Sequence, residues 1–464
     1  MAEDIERAGA ETAAEPNRFE IDPHFVTLVT GAAYDRDGPA LRRLTKGLHP
    51  ADLADLVEHL PEEALNRLFR LIGPELPSAF LAELEWETRE QVLALLPADY
   101  VGRALGELDT DDAAAVAADL DEGKLEEALA AADKDTRLAV EQGLAADEDT
   151  AGRLMQRELV AAPEYWTVGD AIDHMRSADA DLPDVFFEIY VVDPGFRPIG
   201  SAPLSTLIRA PRETKMRDIM RPPQALIHPA MDQEEVAFVF RKYNLASAPV
   251  VDEAGRLTGV LTVDDIVHVI HEEGEEDLLK LSGVSDASQT DTIATSVRAR
   301  APWLSVNLLT GLASATVISF FGASIEKVVA LAVLMPLVAS VGGNAGTQAL
   351  AVAVRAIAAR DLTTANAFRH ILRELLTGLC NGLFMAGLLA AAAHLWFNDL
   401  RITTAVGLAV VINLTMAGLA GILAPLTLRR FGADPAVSSS VFVTFVTDFT
   451  GFFAFLGLAT VFLA

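Results

Sequence analysis

Residues 335–348 read Met335-Pro336-Leu337-Val338-Ala339-Ser340-Val341-Gly342-Gly343-Asn344-Ala345-Gly346-Thr347-Gln348 and lie within a longer apolar run, residues 328–354. A proline and three glycines would weaken a helix in water. In a membrane helix the freed carbonyls find partners on neighbouring helices, and glycines let those neighbours approach closely. Asn344, Thr347 and Gln348 add three uncharged oxygens. A nucleotide-binding glycine loop does not fit, because no strand precedes the string. Packing alone accounts for the glycines but not for three amide or hydroxyl groups together. An unwound or closely packed, oxygen-bearing pore wall accounts for both, with Gly342, Gly343 and Gly346 at the close approach.

Four further apolar stretches, residues 302–321, 371–397, 402–428 and 437–463, have the ~20 residues that cross a hydrocarbon core. Basic residues divide unevenly between the two sides. Arg298, Arg300, Arg355, Arg360, Arg369, Arg373, Arg429 and Arg430 fall on one side, and Lys327 and Arg401 on the other. The positive-inside rule then places the N-terminal 300 residues in the cytoplasm and the C-terminus outside. Asp448 is the acid set deep in a span, 11 residues after Val437 and 16 before the C-terminus. At ~1.5 Å per residue that is close to mid-bilayer. A carboxylate there is costly unless it meets a cation, a partner or water. A protonated Asp bonded to a neighbouring helix is the plainer reading. No Lys or Arg lies at similar depth, so a cation in a wet pathway is the better one. Asn307, Asn381, Asn413 and Thr415 are weaker candidates, each more often an interhelical hydrogen bond.

One carboxylate with hydroxyls, amides and carbonyls suits a hard cation, whereas Cys380 and His394 stand alone and do not make a soft-metal site. Mg²⁺ dehydrates reluctantly and is commonly held by few carboxylates and retained waters.

The chain has 464 residues, is 51% apolar and carries a net charge of −30, yet its mean hydropathy is +0.30. The two figures describe different parts. Residues 301–464 hold 8 basic and 6 acidic groups, and residues 1–300 hold 28 basic and 60 acidic. So acidic an N-terminal part would repel phosphate, which argues against nucleic acid as a partner. A single cysteine excludes an intrachain disulfide. The first twenty residues lack an apolar core, so no signal peptide is expected.

Residues 1–22 read as a disordered tail. From there to about residue 150, Leu60-Pro61-Glu62-Glu63, Leu96-Pro97-Ala98-Asp99 and Leu108-Asp109-Thr110-Asp111-Asp112 each open an apolar stretch of helical spacing. Asp or Thr before an acidic first turn is helix N-terminal chemistry, and the repetition suggests a small helical solenoid. Beyond it a β-turn-β-helix unit occurs twice. The second copy has a helix at 231–241, a strand at 248–252, a turn at Ala254-Gly255-Arg256, a strand at 257–262 and a helix at 263–270. The first copy has a helix at 168–176, then strands at 189–193 and 198–201 about Pro194-Gly195-Phe196-Arg197. Glu272, Glu273, Glu275, Glu276 and Asp277 then form a dense acidic run. A solvated face is the usual explanation. Its position between a duplicated module and the spans makes divalent-ion bridging a rival.

The duplicated unit, with Gly-x-Leu-x-Gly-Val-Leu-Thr-x-x-Asp ending the second copy at Asp265, resembles a cystathionine-β-synthase (CBS) domain pair. Many such pairs hold adenine nucleotides, ATP among them, with the Asp265 position on the ribose; many bind nothing. The whole order resembles the MgtE family of magnesium channels, most specifically in Gly-Gly-Asn-Ala-Gly-Thr-Gln of span two and Phe-Val-Thr-Asp-Phe-Thr-Gly-Phe-Phe of span five. The resemblance implies a multidomain membrane protein: an all-α superhelical N-terminal domain at 23–150, an α/β CBS-domain pair at 151–271 (divided near 211), a connecting plug helix at 272–300 and a five-helix transmembrane domain at 301–464. It implies a homodimer in the inner membrane of a bacterial cell, with the pore at the dimer axis. Asp448 would be the paired selectivity residue, helped by the backbone carbonyl of Thr444, with Asn344, Thr347, Gln348, Gly342, Gly343 and Gly346 lining the pore. Regulatory Mg²⁺ would sit on Asp111, on Asp232, Glu234 and Asp265, and on Glu273, Glu276 and Asp277 of the plug. Asn244 and His268 stand where that pattern leads one to expect acids, which puts the number of regulatory ions in question. The alternatives are a membrane-anchored nucleotide or ion sensor without transport, and a transporter of another divalent cation such as Co²⁺. An intramembrane hydrolase lacks a second carboxylate or a Ser/His pair, so no enzyme is expected.

Overall fold

The computed structural model describes residues 21–177, 182–183, 185–283, 293–363, 365–437 and 439–463. Most of the tail expected at 1–22 and the middle of the connector expected at 272–300 lie outside them. The chain forms two compact units, residues 1–270 and 271–464.

The first unit begins with nine short α-helices between Pro23 and Leu144. Aspartates start several of them: Asp37 accepts from the Ala40 amide at 2.9 Å, Asp121 from Lys124 at 3.0 Å and Asp133 from Thr136 at 2.9 Å. Each such cap satisfies a donor that the first helical turn leaves orphaned. Helix Ala98–Leu105 packs on Glu122–Ala131, and Thr110–Ala118 packs on Lys134–Leu144. Each helix of these pairs thus meets the second one along, which is how a solenoid stacks. Leu41, Leu53, Leu68, Phe69, Phe80, Leu93 and Leu105 form one continuous buried core.

The α/β part holds two antiparallel strand pairs. β2 (Glu188–Val192) pairs with β3 (Pro198–Pro203), with β1 (Ala161–Pro163) parallel on its other edge; β4 (Ser247–Val251) pairs with β5 (Leu257–Thr262). The duplication reaches the hydrogen bonds. Asp193 accepts from the amides of Gly195 and Arg197, and Asp252 from those of Ala254 and Arg256. Both hairpins shift register just before the turn, at Val191/Val192 and Val250/Val251. Phe196 and Gly255 both take a positive φ there, 61° and 76°. Asn244 has a simple local role: at φ 51° it ends helix Gln233–Tyr243 in the left-handed conformation that Asn tolerates.

The helix expected over 263–270 runs unbroken from Val263 to Leu281. Among the described residues of the second unit, five helices are long and apolar enough to cross a membrane: span one Ile293–Phe320, span two Ala330–Ala358, span three Ala367–Phe397, span four Leu400–Arg430 and span five Ser439–Leu463. Span four is the hub, packed against spans two, three and five. Its buried row, including Ala405, Ala409, Asn413, Ala417, Gly421 and Pro425, repeats at helical spacing. Leu304, Leu308, Phe384, Leu395 and Trp396 point outward, as side chains facing lipid tails do.

Candidate functional site

Span two stays helical through Pro336 and the glycine string. Of the two readings left open by its sequence, close packing is the one found. A Cβ on Gly346 would lie 2.4 Å from Val443 of span five, and one on Gly342 would lie 2.1 Å from Asn413 of span four. At Gly343 the close approach is not made by another span of this chain, since a Cβ there meets nothing within 4 Å. The reason is periodicity: adjacent helical residues differ by ~100°, so Gly342 and Gly343 cannot both face the same neighbour. Asn344, Thr347 and Gln348 are exposed on the far side of the helix from the buried Gly342 and Gly346. Thr347 donates to the Gly343 carbonyl at 3.0 Å. Gly346→Leu is expected to abolish assembly of the span bundle, read as loss of a monodisperse solubilised protein. A parent-like elution profile would contradict the packing.

Asp448 is partly buried in the middle of span five, and among the described residues it forms no ion pair. Thr444 lies one turn before it, and its carbonyl accepts from the Thr447 hydroxyl at 2.9 Å. Phe445, Phe449 and Phe453 stack along another strip of the helix, with ring centroids 5.8 and 6.5 Å apart. Spans two, three and four also enclose an open groove of about 470 Å³. Gln348, Arg373, Glu374 and Asn381 line it. Glu374 lies inside the apolar stretch 371–397, in the second turn of span three, which begins at Ala367, and the sequence reading passed over it.

In the first unit, Asp111 opens helix Thr110–Ala118 and is 8% exposed. Burial, then repulsion by Asp265 and Asp112, pushes its carboxyl well above the usual range. The same forces push Asp112 up to about 7 and, with burial dominant, Asp265 up to about 6. The Thr262 hydroxyl donates to Asp265 at 2.6 Å. Asp111 and Asp265 were expected from the sequence; Asp112, beside them, was missed, although the Asp109-Thr110-Asp111-Asp112 run was its signal. Asp232 caps helix Gln233–Tyr243, accepting from the Glu234 amide at 2.9 Å, and both side chains are exposed. Among the described residues no three His, Cys, Asp or Glu side chains converge tightly enough to hold an ion by themselves. Asp111, Asp112 and Asp265 form an acidic group whose members are pushed up together. Its members repel one another, and only carboxylates with retained waters are needed to hold Mg²⁺.

In the second unit, Glu276 pairs with Lys280, which also reaches Asp434 at 2.8 Å in the turn between spans four and five. Burial alone would lower the Lys280 ammonium; the two carboxylates outweigh it and raise its pKa. Leu281 packs with Leu350, Val354, Ala436 and Val443, and its carbonyl accepts from Ser440 at 2.9 Å. Glu273 and Asp277 lie on the same helix. The strand pairs border two clefts, of about 20 and about 70 Å³, the larger lined by Glu188, Ser201, Arg221 and Ser247. Neither has the ~300–1,000 Å³ of an ordinary small-molecule site.

Comparison with known proteins gives consistent matches. The divalent cation transporter family MgtE matches residues 335–458, the MgtE intracellular N domain matches 48–149, and the CBS domain matches 216–272, the second copy. The magnesium transporter MgtE of Thermus thermophilus is 34% identical over 435 residues, covering 92% of this chain and 96% of that protein. The magnesium transporter MgtE of Bacillus subtilis is 30% identical over 431 residues, covering 92% and 95%. A solved cytosolic domain of the Mg²⁺ channel MgtE in complex with ATP is 33% identical, covering 53% of this chain and 99% of that one, with a TM-score of 0.48.

Proposed function

The chain belongs to the MgtE family of magnesium transporters, and from that premise we propose a route and a gate for the ion. The protein is a multi-pass membrane protein that transports Mg²⁺. The observation that carries the route is Asp448, a partly buried carboxylate at mid-span with no ion pair among the described residues. Two copies related by a two-fold axis would place two such carboxylates opposite each other, with the Thr444 carbonyls one turn away. Mg²⁺ would pass there with waters retained, as its slow dehydration favours. The exposed Asn344 and Thr347 support the dimer, because a polar face inside a membrane needs a partner or a water-filled cavity. The basic loops orient the acidic domains into the cytoplasm and the C-terminus outward.

The gate is Mg²⁺ binding to the acidic domains. Asp111, Asp112 and Asp265 would hold one ion, and Glu273, Glu276 and Asp277 provide further acidic groups on the connecting helix. A state that binds Mg²⁺ more tightly gains population as cytosolic Mg²⁺ rises, and this state is the closed one. No step is assigned to an adenine nucleotide.

Growth tests the route. The parent should let a magnesium-transport-deficient bacterium grow at low Mg²⁺, and Asp448→Ala should not; growth with both would reject the site. Excess Co²⁺ that suppresses Mg²⁺ uptake while itself accumulating would favour the broader-specificity reading. Stability tests the regulatory group. Without divalent ions its carboxylates are raised from ~3.9 in the unfolded chain. The stability they contribute is therefore full below about pH 4 and is lost as pH rises through 6 and 7. Unfolding of the N-terminal unit in the full-length protein should occur at lower temperature at pH 8 than at pH 5. Millimolar Mg²⁺ should reverse this, with a larger effect at pH 8, and Asp111→Asn should flatten both dependences. A Mg²⁺ effect independent of pH and of Asp111 would contradict the assignment.

A further inference from the structure

We propose that Asn413 is a positioning residue for the permeation site: its carboxamide, seated against glycines of spans two and five, fixes the rotation of the helices that carry Asn344 and Asp448. The inference rests on the reading of Asp448 as the permeation carboxylate.

Asn413 lies on span four and is fully buried. Its Nδ2 donates to the Val338 carbonyl of span two at 3.0 Å. A Cβ on Gly342 of span two would lie 2.1 Å from that nitrogen, and one on Gly451 of span five 2.7 Å from it. The two glycines are thus notches for one side chain, and three helices meet at a single amide. Among the described residues the Oδ1 of the same amide has no hydrogen-bond partner. A buried acceptor left unpaired is unfavourable, and Leu would remove it while the Val338 carbonyl stays within the unbroken helix of span two. Stability alone would therefore put Leu at this junction. The amide instead supplies a directed contact, which a methyl group does not.

Its placement says what the contact orients. Gly451 follows Asp448 by three residues and Gly342 precedes Asn344 by two. At ~100° per residue, the notch on each helix is fixed in angle relative to the polar group it carries. Thr447, next to Asp448, is also fully buried, so span five turns the Thr447 and Gly451 side inward and holds Asp448 at its edge. Rolling either helix around the amide would swing Asp448 or Asn344 away from its place. In pre-organised sites, a misplacement of about 1 Å can cost up to ~100-fold.

The test uses the full-length protein in liposomes. Uptake is measured against Mg²⁺ concentration and against competing Ca²⁺, for Asn413→Leu, Asn413→Ala, Gly342→Ala, the pair Asn413→Ala with Gly342→Ala, and Asp448→Asn. Asn413→Leu should assemble and unfold at or above the parent's temperature. Its half-saturating Mg²⁺ should nevertheless rise about tenfold, and its preference over Ca²⁺ fall about tenfold, with maximal flux little changed. Gly342→Ala should abolish uptake in the parent but be tolerated beside Asn413→Ala, because the new Cβ no longer meets Nδ2. Parent-like half-saturation and selectivity in Asn413→Leu would overturn the proposal. If that variant fails to assemble, equal damage by Gly342→Ala in both backgrounds would overturn it instead. Asp448→Asn separates the two readings. Unchanged uptake there rejects the permeation site itself, whereas loss there beside a parent-like Asn413→Leu rejects only the positioning role.

Discussion

Asp448→Asn should abolish Mg²⁺ uptake while leaving the protein assembled. The substitution keeps the shape of the side chain and removes its charge at the depth where solvation is poorest. Among the described residues no neighbouring ion pair would be disturbed, so the fold has little to lose. The ion has much to lose. Removing one member of a desolvated charge pair costs ~3–5 kcal/mol, a factor of roughly a hundred or more in occupancy. In a dimer both carboxylates go at once. Uptake into vesicles containing the variant should fall to the background of empty vesicles, with an elution profile like the parent's. Uptake within a factor of two of the parent would show that Mg²⁺ passes elsewhere.

Replacing Glu273, Glu276 and Asp277 together by Ala should leave uptake running at high cytosolic Mg²⁺. Residues 1–300 carry 60 acidic against 28 basic groups, so the acidic domains of two subunits repel when they approach. Monovalent salt screens charge over ~8–10 Å but leaves closer repulsion largely intact. A divalent ion held between carboxylates acts at that shorter range. Protease protection of residues 1–300 should therefore rise with millimolar Mg²⁺ and not with Na⁺ of matched ionic strength. The triple variant should lose much of that protection together with the closure. Glu276 also pairs with Lys280, so Lys280→Met serves as a control: it removes that pair and leaves all three acids. Equal protection by Na⁺ and Mg²⁺ would reduce the acidic run to a solvated face.

The spans were legible because a bilayer imposes a length on apolar sequence that no other environment does, and span five shows it most plainly: its expected and observed limits nearly coincide. The depth of Asp448 followed from the same constraint. The CBS duplication was legible because each hairpin needs its own turn chemistry, so Asp193 and Asp252 recur with the same partners. Contacts between separate elements were not legible. Asp112 has its carboxyl raised by burial and then by Asp265, which is distant in sequence. Lys280 and Asp434 are far apart in sequence and meet only in the folded second unit. Asn413 looked like any interhelical amide until its two glycine notches were in place. Gly343 differs from its neighbours for a simpler reason: a run of glycines in sequence says that something approaches closely, but helical periodicity decides which of them a given span approaches.

The central claim is that this chain conducts Mg²⁺ past Asp448 and closes when Mg²⁺ binds its cytoplasmic acidic groups. Currents in inside-out membrane patches test both halves together, with Mg²⁺ as the only permeant cation and the cytoplasmic face perfused. The account predicts a Mg²⁺ current at low cytoplasmic Mg²⁺ that shuts steeply in the millimolar range, does not shut with Na⁺ at matched ionic strength, and is absent from Asp448→Asn. A Mg²⁺ current that persists in Asp448→Asn, or one indifferent to cytoplasmic Mg²⁺, would contradict it.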